Sequence, residues 1–269
     1  MEYTLNIRGQ LMDLTEPKVM GILNVTPDSF YADSRTQTKQ TIVDKVRQLV
    51  GEGAALIDVG ACSTRPGCTP VSEQEETERL RMALRVVRSE FPDVVLSVDT
   101  FRPDVARMVV GEFGVDMIND IGGQSAAVRL DMFRVVSRLG VPYVLMSQAP
   151  TLRQMLLGFA EDIQQLRDLG QKDIILDPGF GFGKSLEQNY EVMSQLERLL
   201  VMELPVLVGV SRKSMINRVL GTIPSEALNG TTVLHTLALQ KGASILRVHD
   251  VRAAVETVRL FSLCSLNSA

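Results

Sequence analysis

The sequence predicts an α/β chain folded as a (β/α)8 TIM barrel, with a short N-terminal β-hairpin closing its bottom. Three observations predict it. Eight short apolar runs rich in Val, Ile and Leu are spread along the chain, and amphipathic stretches lie between them. The runs lack period-two alternation, as strands buried on both faces do. The 269 residues, 45% hydrophobic, suffice for one large core, so residues 1–269 are expected to form a single domain.

Tyr3–Leu14 is expected to be the hairpin. The strand runs follow as Val19–Val25, Ala55–Val59, Val94–Val98, Val115–Ile118, Val141–Met146, Asp173–Leu176, Val206–Val210 and Ser244–Val248. Between them, Ile42, Val46 and Leu49 recur at helical spacing, as do Leu80, Leu84 and Val87, and Val251, Val255 and Val258. Ser72 with Glu75 and Ser185 with Gln188 have capping-box spacing, and Pro103 suits a first helical turn. The link Gln148–Lys172 has room for a helix of roughly three turns near Phe159–Leu169. A doubly wound open sheet is the competing arrangement of the same elements.

Composition excludes several function classes. Net charge is −4 with no basic block, which argues against nucleic acid as a partner. No apolar run reaches the roughly 18 residues of a membrane span, and Glu2 stands where a signal peptide would carry a base, so a cytoplasmic protein is expected. Cys62, Cys68 and Cys264 have no metal-ligand spacing and are read as reduced packing residues. His235 lies in a helical pattern and is read as structural or exposed, whereas His249 lies at a strand end. The segment Gly179–Ser185 misses the P-loop pattern because Pro178 stands where its first glycine belongs. Its glycines are read as letting the backbone and Phe182 approach a flat ligand.

In such a barrel, chemistry belongs at the C-terminal strand ends. Those ends read Asn24–Phe30, Gly60–Gly67, Ser97–Thr100, Asn119-Asp120, Asp177–Lys184, Gly209–Ser214 and Arg247–Asp250. Each Asp or Asn alone is more often a helix cap. Together, acceptors and cations around one mouth suit a ligand with two halves, a heterocycle bearing several N–H donors and an anion such as diphosphate.

These motifs are similar to those of the dihydropteroate synthase family of the folate pathway. The resemblance covers nearly the whole length. It rests on Asn24-Val25-Thr26-Pro27-Asp28-Ser29-Phe30, Ser63-Thr64-Arg65-Pro66-Gly67, Asp177-Pro178-Gly179-Phe180-Gly181-Phe182, Ser211-Arg212-Lys213-Ser214 and Arg247-Val248-His249. It implies a transferase that joins 6-hydroxymethyl-7,8-dihydropterin diphosphate to 4-aminobenzoate, releasing diphosphate, and that is a sulfonamide target. It further implies that Asp99, Asn119 and Asp177 hold the pterin, that Met146 and Phe182 pack on its faces, and that Lys213 reaches its carbonyl side. Asn24 is implied as the protein ligand to Mg2+. Arg65, Arg247 and His249 are implied around the diphosphate, and Thr64, Pro66, Phe182 and Ser214 around aminobenzoate. Asp99, Arg65 and Lys213 are the implied catalytic residues, acting in a dissociative displacement, and a homodimer through the C-terminal helices is implied as well. Where the family usually has His-Met-x-Gly after the fifth strand, this chain has Met146-Ser147-Gln148-Ala149, followed by a shorter connection. A corrinoid-dependent methyltetrahydrofolate methyltransferase and an inactive pterin-binding paralogue are the alternative readings.

Overall fold

A computed structural model describes residues 3–25, 35–62, 71–122 and 125–266. Strands β1 (Thr4–Ile7) and β2 (Gln10–Asp13) pair antiparallel, with Ile7 opposite Gln10. The two-residue turn between them has Arg8 at φ 53° and Gly9 at φ 80°. Positive φ at both positions matches the right-handed twist of a hairpin.

The barrel follows as β3 (Lys18–Asn24), α1 (Arg35–Gly51), β4 (Leu56–Gly60), α2 (Glu73–Glu90), β5 (Leu96–Asp99), α3 (Pro103–Phe113), β6 (Met117–Asp120) and α4 (Ala126–Leu139). It continues with β7 (Tyr143–Met146), α5 (Leu152–Asp168), β8 (Ile174–Asp177), α6 (Leu186–Ser194), β9 (Leu207–Val208), α7 (Ser214–Leu220), α8 (Leu228–Gln240), β10 (Ile245–Val248) and α9 (Val251–Leu266). The eight strands β3–β10 form one parallel sheet in the order β8-β7-β6-β5-β4-β3-β10-β9. Its two ends meet, since the Leu176 N–H donates to the Pro205 carbonyl at 2.9 Å and Leu176 bridges Val206. An open doubly wound sheet would have two free edges, so the barrel is the arrangement adopted.

Alternation along the strands divides the core in two. Val19, Leu23, Ile57, Val59, Val98 and Ile118 face outward into the layer shared with the helices. Met20, Leu56, Met117, Val144, Ile175, Leu207 and Ile245 face inward as the barrel floor, and Leu5, Ile7 and Leu14 of the hairpin region seal it from below. A free hairpin is marginal in water. Burying these three side chains, at about 2 kcal/mol each, supplies the stability it lacks. Asp116 latches its turn, accepting from Arg8 Nε at 2.5 Å, from Arg88 Nη2 at 2.9 Å and from the Leu96 N–H at 2.8 Å.

The expected helical faces are the buried ones: Ile42, Val46, Leu49, Leu80, Leu84 and Val87 have no exposure. Ser185 and Gln188 form the full capping box, whereas at Ser72 only the serine half forms, because the Glu75 carboxylate pairs with Arg79. The fifth connection departs further from expectation. Its helix α5 begins at Leu152 behind the Thr151 cap and runs 17 residues, well beyond three turns near Phe159–Leu169. Leu152, Met155, Phe159, Ile163 and Leu166 are its buried stripe, so most of the link is helix. Strand bounds also shift: β5 and β6 end at Asp99 and Asp120, one and two residues later than the apolar runs, and β9 keeps only Leu207–Val208.

Candidate active site

Strand register assembles the mouth. Asn24 lies beside Gly60, Gly60 beside Asp99, and Asp99 beside Asn119. Met146 lies beside Asp177. Each is an even number of residues above an inward floor residue of its strand or its neighbours, so the same face that is apolar at the bottom turns polar at the top. Gly60 brings two side chains of this row close together: a Cβ there would lie in ordinary contact with both, 3.5 Å from Asn24 Oδ1 and 3.8 Å from Asp99 Oδ2.

Arg247 ties the row together. Its Nε donates to Asp58 Oδ2 at 2.6 Å and its Nη2 to Asp99 Oδ2 at 2.8 Å. Asp58, wholly buried, also accepts from Asn119 Nδ2 at 3.0 Å and from Ser97 Oγ at 2.6 Å. Burial works against the Arg247 charge, but the Asp58 and Asp99 carboxylates outweigh it and hold the guanidinium above its ordinary value. Burial dominates at Asp99 and pushes its carboxyl up to about 7; Arg247 opposes this, and the carboxylates of Asp58, Glu76 and Asp120 add to it.

On the other side, Asp177 accepts the Gly179 N–H at 2.7 Å, and burial raises its carboxyl against the pull of Lys213. Burial pushes the Lys213 ammonium down to about 8 despite Asp177. Its Nζ donates to the Phe180 carbonyl and lies 4.7 Å from the centre of the half-buried Phe182 ring. Such a cation over an aromatic face aligns Phe182 as one wall. Met146, 3% exposed, lies beside Asp177 on β7.

The glycine-rich loop packs closely against the loop before it. A Cβ on Gly179 would stand 2.3 Å from the Ser147 carbonyl oxygen, and one on Gly183 2.8 Å from that of Gln148. The glycines therefore let the loop after β8 lie on the loop after β7, and Phe182 is placed by that packing. Lys184 closes the same contact by donating to the carbonyls of Ser147, Gly179 and Phe182 at 3.1, 3.1 and 3.2 Å.

The remaining expected residues divide. His249 sits at the mouth with Nδ1 3.1 Å from Ser211 Oγ. Ser214 is exposed at the first turn of α7. Arg212 is no mouth cation, because its guanidinium forms a two-pronged pair with Asp250. His235 is buried in α8, with burial pushing it down to about 4, so it is structural. Burial pushes the half-buried Cys62 thiol up to about 12, which keeps it protonated. Thr64, Arg65 and Pro66 lie outside the described residues, as does Cys68. Asp58 is the functional-site residue that the sequence reading passed over; a carboxylate inside the otherwise apolar run Ala55–Val59 was its signal.

Fold and site together define a barrel with a buried, counter-charged pocket at the C-terminal ends of its strands. The family model described as "Pterin binding enzyme" matches residues 20–249, and the chain belongs to that family. It is 38% identical to the dihydropteroate synthase of Escherichia coli K12, over 94% of this chain and 93% of that one. The solved dihydropteroate synthase of Xanthomonas albilineans with 4-aminobenzoic acid superposes with a TM-score of 0.87 at 37% identity, covering 98% of this chain and 99% of that one. The Coxiella burnetii dihydropteroate synthase in complex with pteroic acid gives 0.85 at 34% identity, covering 97% and 98%.

Proposed function

We propose that the chain catalyses the dihydropteroate synthase reaction, joining 6-hydroxymethyl-7,8-dihydropterin diphosphate to 4-aminobenzoate to give 7,8-dihydropteroate and diphosphate. The observation that carries this reading is the set Asp99, Asn119, Asp177 and Lys213 around Arg247, in a chain alike over nearly its whole length to synthases solved with 4-aminobenzoic acid and with pteroic acid. Carboxylates accept the paired N–H groups of an aminopyrimidinone edge, and an amide serves a mixed edge. Asp177 and Asn119 take those roles, Lys213 donates to the ring carbonyl side, and Met146 and Phe182 sandwich the ring. Asp99 faces the carbon that gains positive charge as diphosphate leaves. Arg65, Arg247 and His249 bind the departing anion, and Thr64, Pro66, Phe182 and Ser214 border the aryl amine. The amine nitrogen attacks through its lone pair and then loses a proton, so no strong base is required.

The donor set also suits Mg2+. Mg2+ keeps several waters and takes one or two protein oxygens together with substrate phosphates. Among the described residues no group of three or more carboxylate, His or Cys side chains could hold a metal, so the fit is to one amide oxygen, Asn24 Oδ1, at the mouth beside Asp99. When bound there, the ion would neutralise diphosphate charge.

Two coarser features support a place in the cell and an assembly. No helix among the described residues is long and apolar enough to cross a membrane; a cytoplasmic enzyme working as one barrel domain over residues 1–269 is the reading taken from the sequence. Exposed large apolar side chains gather on α7–α9, among them Val219, Leu228, Val233, Leu237 and Leu260, which favours a homodimer through these helices. Analytical ultracentrifugation of the chain checks this, and a monomer at micromolar concentration would refute it.

The reaction is tested by diphosphate release from dihydropterin diphosphate with and without 4-aminobenzoate. Release coupled to dihydropteroate formation, with no corrinoid present, is expected. A chain that binds the pterin but forms no product would instead be an inactive paralogue.

A further inference from the structure

Asp58 has no solvent exposure, so it does not touch a ligand, yet it bonds to two residues that face one. Its Oδ1 accepts from Ser97 Oγ at 2.6 Å, and its Oδ2 accepts from Asn119 Nδ2 at 3.0 Å and Arg247 Nε at 2.6 Å. We propose that Asp58 is a positioning residue for the pterin pocket: it fixes which atom of the Asn119 amide faces the ligand and holds Arg247 in the place it shares with Asp99. This inference rests on the pterin-binding reading above.

The donors and acceptors of these groups leave one arrangement. An ionised carboxylate only accepts, and a guanidinium only donates. An amide can be turned either way, and its neighbours decide the turn. With a carboxylate beside it, Asn119 must direct Nδ2 at Asp58, since the opposite turn would set two acceptors against each other. Oδ1 and one remaining N–H are then offered in a fixed order to whatever edge lies against them. Arg247 is constrained in the same way. Held at Nε by Asp58, it spans to Asp99 at 2.8 Å through Nη2 and cannot follow Asp99 as that residue engages a ligand. Ser97, itself wholly buried, locks the second oxygen of Asp58 and so prevents the carboxylate from rotating.

The test is Asp58→Asn, which keeps the shape but adds a donor and removes the charge. Calorimetric titration with 6-hydroxymethyl-7,8-dihydropterin diphosphate is expected to show about tenfold weaker binding, the loss of one oriented hydrogen bond to a charged system. In turnover the KM for the pterin substrate rises while the KM for 4-aminobenzoate does not. In an Asn119→Ala background the same change costs less than it does alone, because the two residues act as one unit. A purely structural Asp58 would lower the melting temperature and leave this split and this coupling absent. Wild-type pterin affinity in Asp58→Asn, or effects that multiply fully with Asn119→Ala, would overturn the proposal. If Asn at this position prevents folding, Ser97→Ala decides: about threefold weaker pterin binding supports the proposal and unchanged binding overturns it. Because the titration needs no turnover, a wild-type chain that binds pterin but makes no product counts only against the catalytic reading.

Discussion

The contact between the loops after β7 and β8 can be measured by adding one carbon atom. Gly179 has φ +66°, and a Cβ there would stand 2.3 Å from the Ser147 carbonyl oxygen and 3.1 Å from Met146 Cγ. Gly140, the C-cap of α4, has φ +67° and nothing within 4 Å of a Cβ. The two positions share one backbone cost for alanine, about 1–2 kcal/mol in the left-handed region. Only Gly179 adds overpacking, about 1–3 kcal/mol more. Gly179→Ala is therefore expected to cost about 2–5 kcal/mol in total and Gly140→Ala about 1–2 kcal/mol. At roughly 2–4 °C per kcal/mol, Gly179→Ala melts several degrees below Gly140→Ala. Because the shift also moves the N–H that Asp177 accepts and the wall formed by Met146, pterin affinity falls in Gly179→Ala alone. Thermal melts and calorimetry on both variants make the comparison. Equal melting temperatures with unaltered affinity would refute the described packing of these loops.

Other outcomes are expected from the same geometry. Asp177→Ala abolishes binding of dihydropterin diphosphate, and unchanged calorimetric affinity would remove Asp177 from the pocket. Lys213, pushed down to about 8 by burial, carries its charge below that pH, so pterin affinity decreases as pH rises through about 8; a flat profile from pH 7 to 9.5 would contradict this. His235 has its folded-state value depressed from 6.5 to about 4, so the unfolded chain binds the proton first and stability falls as pH drops through that window. The loss is about 3 kcal/mol between neutral pH and pH 4, and His235→Leu removes it from the pH dependence of urea midpoints. Arg65→Ala lowers turnover while circular dichroism stays unchanged; wild-type turnover in that variant would exclude Arg65 from the reaction.

Much of this was legible in the sequence because parallel strands buried on both faces are written as unbroken apolar runs. Their ends were less legible. Asp99 and Asp120 belong to β5 and β6 although they look like loop residues: Asp99 is an inward mouth position, and Asp120 faces the helix layer, where it accepts from the Tyr143 hydroxyl. Helix α5 was under-read for another reason. The spacing of Leu152, Met155, Phe159, Ile163 and Leu166 was present, but its start lies in a segment where the family pattern is replaced. At the site, Asp99, Asn119, Met146, Asp177, Phe182, Lys213 and Arg247 stand around one mouth as expected. Asp58 was missed because its importance lies in three partners 39, 61 and 189 positions away, a relation that no local motif contains. Arg212, in the same motif as Lys213, has φ 57° and pairs with Asp250, a partner 38 positions away that the motif does not contain.

The shared guanidinium has a consequence for the order in which a substrate can enter. Deep in the mouth, Asp58, Asp99 and Asp177 carry three potential negative charges and Arg247 and Lys213 two positive ones, and both cations are already engaged by carboxylates or a carbonyl. A pocket so balanced has no net positive charge to draw an anion down to its base, although it offers acceptors freely and Arg247 keeps N–H groups beyond the two given to Asp58 and Asp99. A molecule with a flat N–H-bearing end and a polyanionic end is thus sorted by direction. It goes in ring first and keeps its charged end outward, on the side from which the leaving group departs.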